Sequence, residues 1–284
     1  MANLDKLLRQ NPPRPGGRDG VLRSCPCTQA QLQSETFQTW CARIGEQPMH
    51  MHRKVWEYCY IAQALQERGM LAPGRRGIGF AVGQEPLTAL FASLGCEIVA
   101  TDLATSEAVS AGWVGTAQHA DSLDALNQRG ICPSDLFHER VSFRFLDMRS
   151  LPDDQWGYDF IWSACALEHL GTLELGEEFI YKSLKYLKPG GVAVHTTEFN
   201  VSSNAGTVCA GPDVIYRRKD LERILSHLQE LGYSVESDFT LGNLPADQVV
   251  DQPPFKHQIH LRLSLGGYVS TSFGLIIENA WSRF

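Results

Sequence analysis

The sequence predicts an α/β protein: a doubly wound, mostly parallel seven-stranded sheet of Rossmann-like type, preceded by an N-terminal helical cap. Three observations carry that expectation. From Gly74 onward, apolar runs of strand length alternate with amphipathic stretches of helix length, the pattern of a parallel sheet covered on both faces. A tight turn, Ala81-Val82-Gly83-Gln84-Glu85, joins the first of these strands to the first helix. An acidic residue, Asp102, closes the next strand about twenty residues later, the spacing at which dinucleotide-type folds place a ribose ligand.

Taken in order, residues 1–28 are rich in Pro, Gly and Arg and are expected to form a loose arm. Residues 29–73 read as the cap. In MHRKVWEYCYIAQALQERGM (51–70), Val55, Tyr58, Ile61, Ala62 and Leu65 recur at spacings of three and four, and Gly69 and Pro73 end the helix. Residues 74–284 read as one domain. RGIGFAVG is a buried strand, and EPLTALFASLG a helix with Pro near its first turn and Gly at its end. CEIVATD is a strand, AQHADSLDALNQRG a helix, and VSFRFLDM and YDFIWSAC are further strands. LELGEEFIYKSLKYLKPGG is a helix closed by Pro-Gly-Gly, followed by the strand GVAVHTTEF, the helix RKDLERILSHLQELG and the strand YSVESDFTL. HQIHLRLSL and TSFGLIIEN, linked through GGYVS, are expected to pair antiparallel at an edge. Two insertions, near 201–218 and 242–258, are long enough to shape an acceptor pocket.

Composition narrows the function classes. The net charge of −7 disfavours an extended phosphate-binding surface, and with it a nucleic-acid partner. No apolar run reaches the ~20 residues of a membrane span, so no membrane partner is expected. The N-terminus has no apolar signal core. Several cysteines, among them Cys96 and Cys165, sit inside apolar segments as buried thiols do, which points to a reducing, cytoplasmic setting. Cys25 and Cys27 form a tight pair with no second pair at metal-finger spacing. The expected partner is a small molecule. Nothing in the sequence sets the oligomeric state.

The glycine-bearing loop admits two nucleotide-like cofactors. GRRGIGFA resembles the signature of short-chain NAD(P)-dependent dehydrogenases, and Tyr181 and Lys185 have the spacing those enzymes use. Against this, Gly74 follows a helix instead of opening the domain, and Tyr181 and Lys185 lie on a helix that buries Phe179, Ile180, Leu184 and Leu187. In the other reading Asp102 holds a ribose, and Asp147 and Met148, at the end of the third strand, receive an adenine. The order of these strand ends, together with LEH at 167–169 and YLKPGGV at 186–192, resembles the class I S-adenosylmethionine-dependent methyltransferases over residues 74–200.

The resemblance implies a cofactor site made of Gly79, Ala81, Gly83, Glu85, Asp102, Leu103, Asp147, Met148 and Ser163, with Arg53 or Lys54 pairing with the cofactor carboxylate. Where the family reads acidic-x-Gly-x-Gly-x-Gly, this chain has Gly79, Ala81, Gly83 and Glu85. Glu85 either takes over the contact to the cofactor's amino group or caps the following helix.

Methyl transfer to oxygen also needs a proton acceptor. Glu168, His169 and His195, at the ends of the fourth and fifth strands, are the expected catalytic residues. Some members of the family carry Glu-x-x-Glu-His there and bind a divalent metal; this chain has Cys165 at the first position. Glu168, His169 and His195 are therefore also candidate ligands for Mg, Mn or Zn. A metal, an imidazole base, or positioning alone all remain open at this point. Arg217, Arg218 and His257 are candidates for reading a polar acceptor. The expected activity is O-methylation of a sugar or secondary metabolite, with a dehydrogenase or an inactive cofactor-binding module as alternatives.

Overall fold

A computed structural model describes residues 20–104, 120–153 and 157–280, so most of the expected arm and the start of the helix expected after Asp102 lie outside the described residues. The elements run β1 (Cys25–Pro26), α1 (Gln29–Gln33), α2 (Glu35–Arg43), α3 (Arg53–Glu67), β2 (Arg76–Gly79), α4 (Leu87–Ser93), β3 (Glu97–Asp102), α5 (Ser134–Arg140), β4 (Val141–Phe145), β5 (Tyr158–Ser163), α6 (Leu173–Ser183), β6 (Leu187–Asn200), α7 (Arg218–Glu230), β7 (Val250–Asp251), β8 (Arg262–Leu265) and β9 (Tyr268–Glu278).

The sheet order is β4-β3-β2-β5-β6-β9-β8-β7, with β1 pairing separately on β9. From β4 to β6 all neighbours are parallel. β9 runs antiparallel to both β6 and β8. The chain therefore leaves β2 toward β3 on one side and returns to β5 on the other. The crevice beyond the C-terminal ends of β2, β3 and β5 is the switch point at which such sheets bind ligands.

The mostly parallel, helix-flanked architecture is the expected one, but the sheet has nine strands instead of seven. The extra strands are the short β1 and β7. β1 occupies the edge of β9 at Phe273 and Gly274, so YSVESDFTL forms no continuous strand and touches the sheet only through bridges at Ser234 and Ser237. The edge hairpin forms as read. Gly266 and Gly267, at φ 56° and 84°, turn the chain between the paired Leu265 and Tyr268, a conformation that side-chain-bearing residues resist. SDLFHER forms α5, which periodicity misses because a helix this short buries one residue, Phe137.

Two apolar layers sandwich the sheet. One gathers Trp56, Tyr60 and Leu65 of α3 with Phe91 of α4 and with Phe160, Trp162, Val192 and Val194 of the sheet. The other gathers Phe179 of α6 and Leu221, Ile224 and Leu228 of α7 with Phe80, Ile161, Ala193 and Phe273. Burying side chains of this size contributes roughly 1.5–3 kcal/mol each. Alternation along β6 sends Val192 and Val194 to the cap side and Ala193 to the other, and this decides the fate of the polar residues that follow.

The start of α3 is unusual. His52 caps it by accepting the Lys54 amide on Nδ1 at 3.1 Å, and its ring stacks on His260 at 4.6 Å. Burial first, then the neighbouring His260 and Arg53, hold His52 down at about 3, so it stays a neutral acceptor. His260 is fixed in turn by Asp251 at 2.6 Å, so the 242–258 insertion braces the turn that presents Arg53 and Lys54. Among the described residues no helix is long and apolar enough to cross a membrane.

Candidate active site

β2 ends at Gly79 and the chain turns through Ala81 and Gly83, both at positive φ (48° and 51°). For alanine this conformation costs roughly 1 kcal/mol and persists because the surroundings dictate it. Phe80 donates its amide to the Trp162 carbonyl at 2.9 Å, and Val82 to that of Thr101 at 3.0 Å. The Gly83 amide reaches the Asp102 carboxylate at 3.1 Å, which also accepts the amides of Leu103 at 2.8 Å and Ala120 at 3.1 Å. Asp102 thus ties the loop, its own strand end and the returning chain together at the rim of the crevice.

Two of the three departures from the glycine motif, at residues 79 and 85, meet at Trp162. A Cβ on residue 79 would lie 2.3 Å from the Trp162 ring, so no acidic side chain fits there. The indole of Trp162 instead donates to Oε1 of Glu85 at 2.6 Å. Burial pushes the Glu85 carboxyl up to about 8, opposed by the Trp162 hydrogen bond and by Lys54. Glu85 also borders a cavity of about 240 Å³ lined by Gln84, Ala89, Leu126, Arg129 and Ile131.

Across from the loop, α3 presents two cations. Arg53 is buried, and both of its terminal nitrogens are engaged within the protein. Its Nη1 donates to Glu57 at 3.2 Å, Ser272 at 3.2 Å and Cys165 at 3.3 Å, and its Nη2 pairs with Glu198. Glu57 accepts from Ser272 and Thr196, and Glu198 from Ser270. Burial pushes the Glu198 carboxyl up, against the pull of Arg53. The expectation that Arg53 meets a cofactor carboxylate is corrected for Nη1 and Nη2, which Glu57, Ser272, Cys165 and Glu198 take; its Nε is buried without a partner among the described residues. Lys54 differs. Among the described residues its ammonium makes no ion pair, and it faces Cys165, Glu57, Tyr58 and Glu85. Burial works against its charge, but those ionisable neighbours hold it above the ordinary lysine range.

At the strand-four position, β5 ends at Ser163 and the chain turns through Cys165, at φ 52°, into a short 3-10 turn, Leu167–His169. Cys165 donates to Glu168 at 2.6 Å, and Thr197 to its other oxygen at 3.1 Å. His169 Nδ1 lies 3.1 Å from Asp213 and 2.9 Å from the Pro212 carbonyl, which leaves Nε2 facing Glu168 at 4.0 Å. Burial lowers the His169 imidazolium, but Asp213 and Glu168 outweigh it and hold its pKa above the usual histidine value. The 201–218 insertion supplies Asp213: it folds back so that the Val214 amide bonds the Glu168 carbonyl at 3.0 Å.

His195 does not join this group. It is fully buried on the α6 side of the sheet, with Nδ1 2.8 Å from Ser163 and its ring edge-on to Phe179. Burial holds it down at about 3. Its assignment beside Glu168 and His169, as base or ligand, is corrected by its place along β6: Thr197, two residues further along the same face, reaches Glu168, whereas the His195 ring is taken up by Ser163 and Phe179. Among the described residues, the possible ligand atoms that converge within 4.8 Å are those of Cys165, Glu168 and His169. As a donor set, thiol, carboxylate and imidazole suit zinc better than magnesium, and the Asp213–His169 contact is the usual orienting partner of a metal-bound imidazole.

The remaining expected residues are placed less favourably. Asp147 is half-buried and bound by Arg149, with Nε at 3.0 Å and Nη2 at 2.8 Å; burial would raise its pKa, but these bonds hold it low. Met148 is buried with Phe80 and Phe179, so its side chain is spent on the core instead of an adenine. Ser163 serves His195. Arg217 and Arg218 pair with Asp220 and Glu222, and His257 with its own loop. Tyr181 bonds Glu177 and Lys185 pairs with Asp153, which is not the coupled pair a dehydrogenase uses. Glu57, Trp162, Asp213 and Ser272 were not marked by sequence; only Glu57, four residues from Arg53 on one helix face, left a local signal.

No family model and no curated protein matches this chain. Solved structures do. One, from Galdieria sulphuraria and described as a candidate sarcosine dimethylglycine methyltransferase, is 16% identical with a TM-score of 0.51, over 87% of this chain and 99% of that one. Another is magnesium protoporphyrin IX methyltransferase from Synechocystis, 14% identical, TM-score 0.49, over 88% and 97%. A third, an S-adenosylmethionine-dependent methyltransferase from Mesorhizobium loti, is 13% identical, TM-score 0.46, over 76% and 95%. The first likeness shows the fold: this chain has the Rossmann-like architecture of a methyltransferase.

Proposed function

We propose that this protein is an S-adenosylmethionine-dependent methyltransferase acting on a polar small molecule, with a hydroxyl of a sugar or secondary metabolite as the acceptor. The observation that carries the reading is Asp102. A carboxylate at the end of β3, bonded to the amide of Gly83 at the switch point, lies where a ribose is held in sheets of this topology. The free state of all eight cysteines supports a reducing, cytoplasmic setting.

When bound, the cofactor supplies an activated methyl group, so much of the catalysis is positioning. Asp102 orients the ribose, and Lys54, which makes no ion pair among the described residues, meets the cofactor carboxylate, while Arg53 is held by Glu57 and Glu198. Asp213 holds His169 so that Nε2 faces the centre, and His169 takes the acceptor's proton there. Cys165, Glu168 and His169 would hold a divalent metal, zinc by their donor types, which would lower the acceptor's pKa instead.

Calorimetry with S-adenosylhomocysteine and NADP side by side tests the cofactor. Binding of the first alone is expected; binding of NADP alone would overturn the reading. Chelation of the active enzyme separates the two proton routes: loss of turnover restored by zinc favours the metal, and unchanged turnover favours His169.

A further inference from the structure

We propose that Glu85 and Lys54 form a two-ended clamp for the amino-acid end of the cofactor, and that closing the clamp expels a proton from Glu85. The inference rests on the cofactor reading above and couples two residues of that reading to a change of protonation.

The geometry comes first. Trp162 occupies the space over Gly79, so no acidic side chain can stand there. The same indole carries Glu85 at 2.6 Å, which fixes one carboxyl oxygen and leaves the group beside the turn of residues 81–83. Lys54 comes from a different element, the first turn of α3, acts electrostatically on Glu85, and makes no ion pair among the described residues. Tyr58, one turn further along α3, faces both Lys54 and Glu85. A cation with no ion pair among the described residues, near a carboxyl held by a neutral donor, is complementary to an α-amino acid zwitterion: carboxylate to Lys54, ammonium to Glu85.

The charge state follows. The groups facing Glu85 are Lys54, Glu57 and Tyr58 from α3, Asp102 from β3 and Trp162 from β5, with Arg129 on the wall of the adjoining cavity. Burial dominates, and the empty site favours the neutral acid at neutral pH. An arriving ammonium favours the carboxylate. The O–H bond of Glu85 breaks, its electron pair stays on the oxygen, and the proton leaves to solvent while the ligand keeps its charge.

The test compares S-adenosylhomocysteine with 5′-methylthioadenosine, which has the same adenosine thioether but no amino-acid end. Calorimetry in buffers of different ionisation enthalpy counts protons. With the wild type, S-adenosylhomocysteine is expected to release a proton and to bind up to about tenfold more tightly for each pH unit between roughly 6 and 8, while methylthioadenosine does neither. Glu85→Gln keeps an acceptor for Trp162. It is expected to lose the proton release and about tenfold or more in S-adenosylhomocysteine affinity, and to leave methylthioadenosine unchanged. Lys54→Met, with Glu85 intact, is expected to show the same selective loss of affinity. Unaltered affinity and proton release in Glu85→Gln, or equal losses for both ligands, would overturn the clamp. A wild type that binds neither ligand would overturn the cofactor reading itself and the clamp with it.

Discussion

Arg53 and Lys54 are neighbours on α3, yet they end in opposite situations. Arg53 points into the interface of α3 with β6 and β9, where Glu57, Glu198, Ser272 and Cys165 take its donors. Lys54 lies near Glu85, Tyr58 and Cys165 and makes no ion pair among the described residues. A buried charge is tolerated when its partners are supplied by the fold, and such a lattice fixes geometry more than it adds stability. A cation with no ion pair among the described residues, near the loop that follows β2, is the one a ligand would meet. The comparison separates a structural region from a functional one on a single helix turn.

The largest expected effect breaks the closed region. Arg53→Ala leaves Glu57 and Glu198 buried without their cation and should cost about 3–5 kcal/mol in urea denaturation. A loss below about 1 kcal/mol, the range of exposed pairs, would mean that the lattice is open to water.

The two histidines extend the comparison. His169→Asn should lower turnover by about 10²–10⁴-fold with S-adenosylhomocysteine affinity kept, if the imidazole is the base. His195→Gln should act on stability instead, by about 1–3 kcal/mol through the lost Ser163 bond, with turnover of the folded fraction unchanged. The pH profile sharpens the distinction. The pKa of His169 is raised, so the base is present only above that pKa, and the rate should fall as pH drops through a value above the ordinary ~6.5. For stability the sign is opposite: the Asp213 pairing contributes fully below the unfolded pKa and is lost as pH rises through the folded one. A rate limb below the ordinary histidine value would exclude His169 as the base.

Asp102→Ala should weaken S-adenosylhomocysteine by about tenfold or more, as expected for removing a charge-assisted hydrogen bond of about 1.5–3 kcal/mol. Unchanged affinity would move the ribose elsewhere.

The smallest effect concerns Glu85 in the empty protein. Its folded pKa, about 8, exceeds the ordinary 4.5, so the folded state holds the extra proton between the two values and stability falls as pH rises through that window. Glu85→Gln should remove this slope and melt a few degrees above the wild type at alkaline pH, at roughly 2–4 °C per kcal/mol for a chain of this size. Parallel melting curves of the two proteins at all pH values would show that Glu85 is not buried as described.

What the sequence by itself determined is local. The period of α3, the Gly266-Gly267 hairpin and the strand ending at Asp102 follow from side-chain spacing and turn chemistry, which act over a few residues. These suffice for a parallel sheet and for the position of its crevice. The expected Pro-Gly-Gly helix stop instead lies inside β6, and α6 already ends at Ser183. The tertiary structure decided which polar residues face one another. His195 and Glu198 lie three residues apart on β6, but the two-residue period of a strand sends one to the α6 core and the other to Arg53. Asp213 reaches His169 because an insertion folds back, and Glu85 reaches Trp162 because β2 and β5 are sheet neighbours and residue 79 has no side chain. Such pairings depend on strand order and facing, which no local spacing encodes.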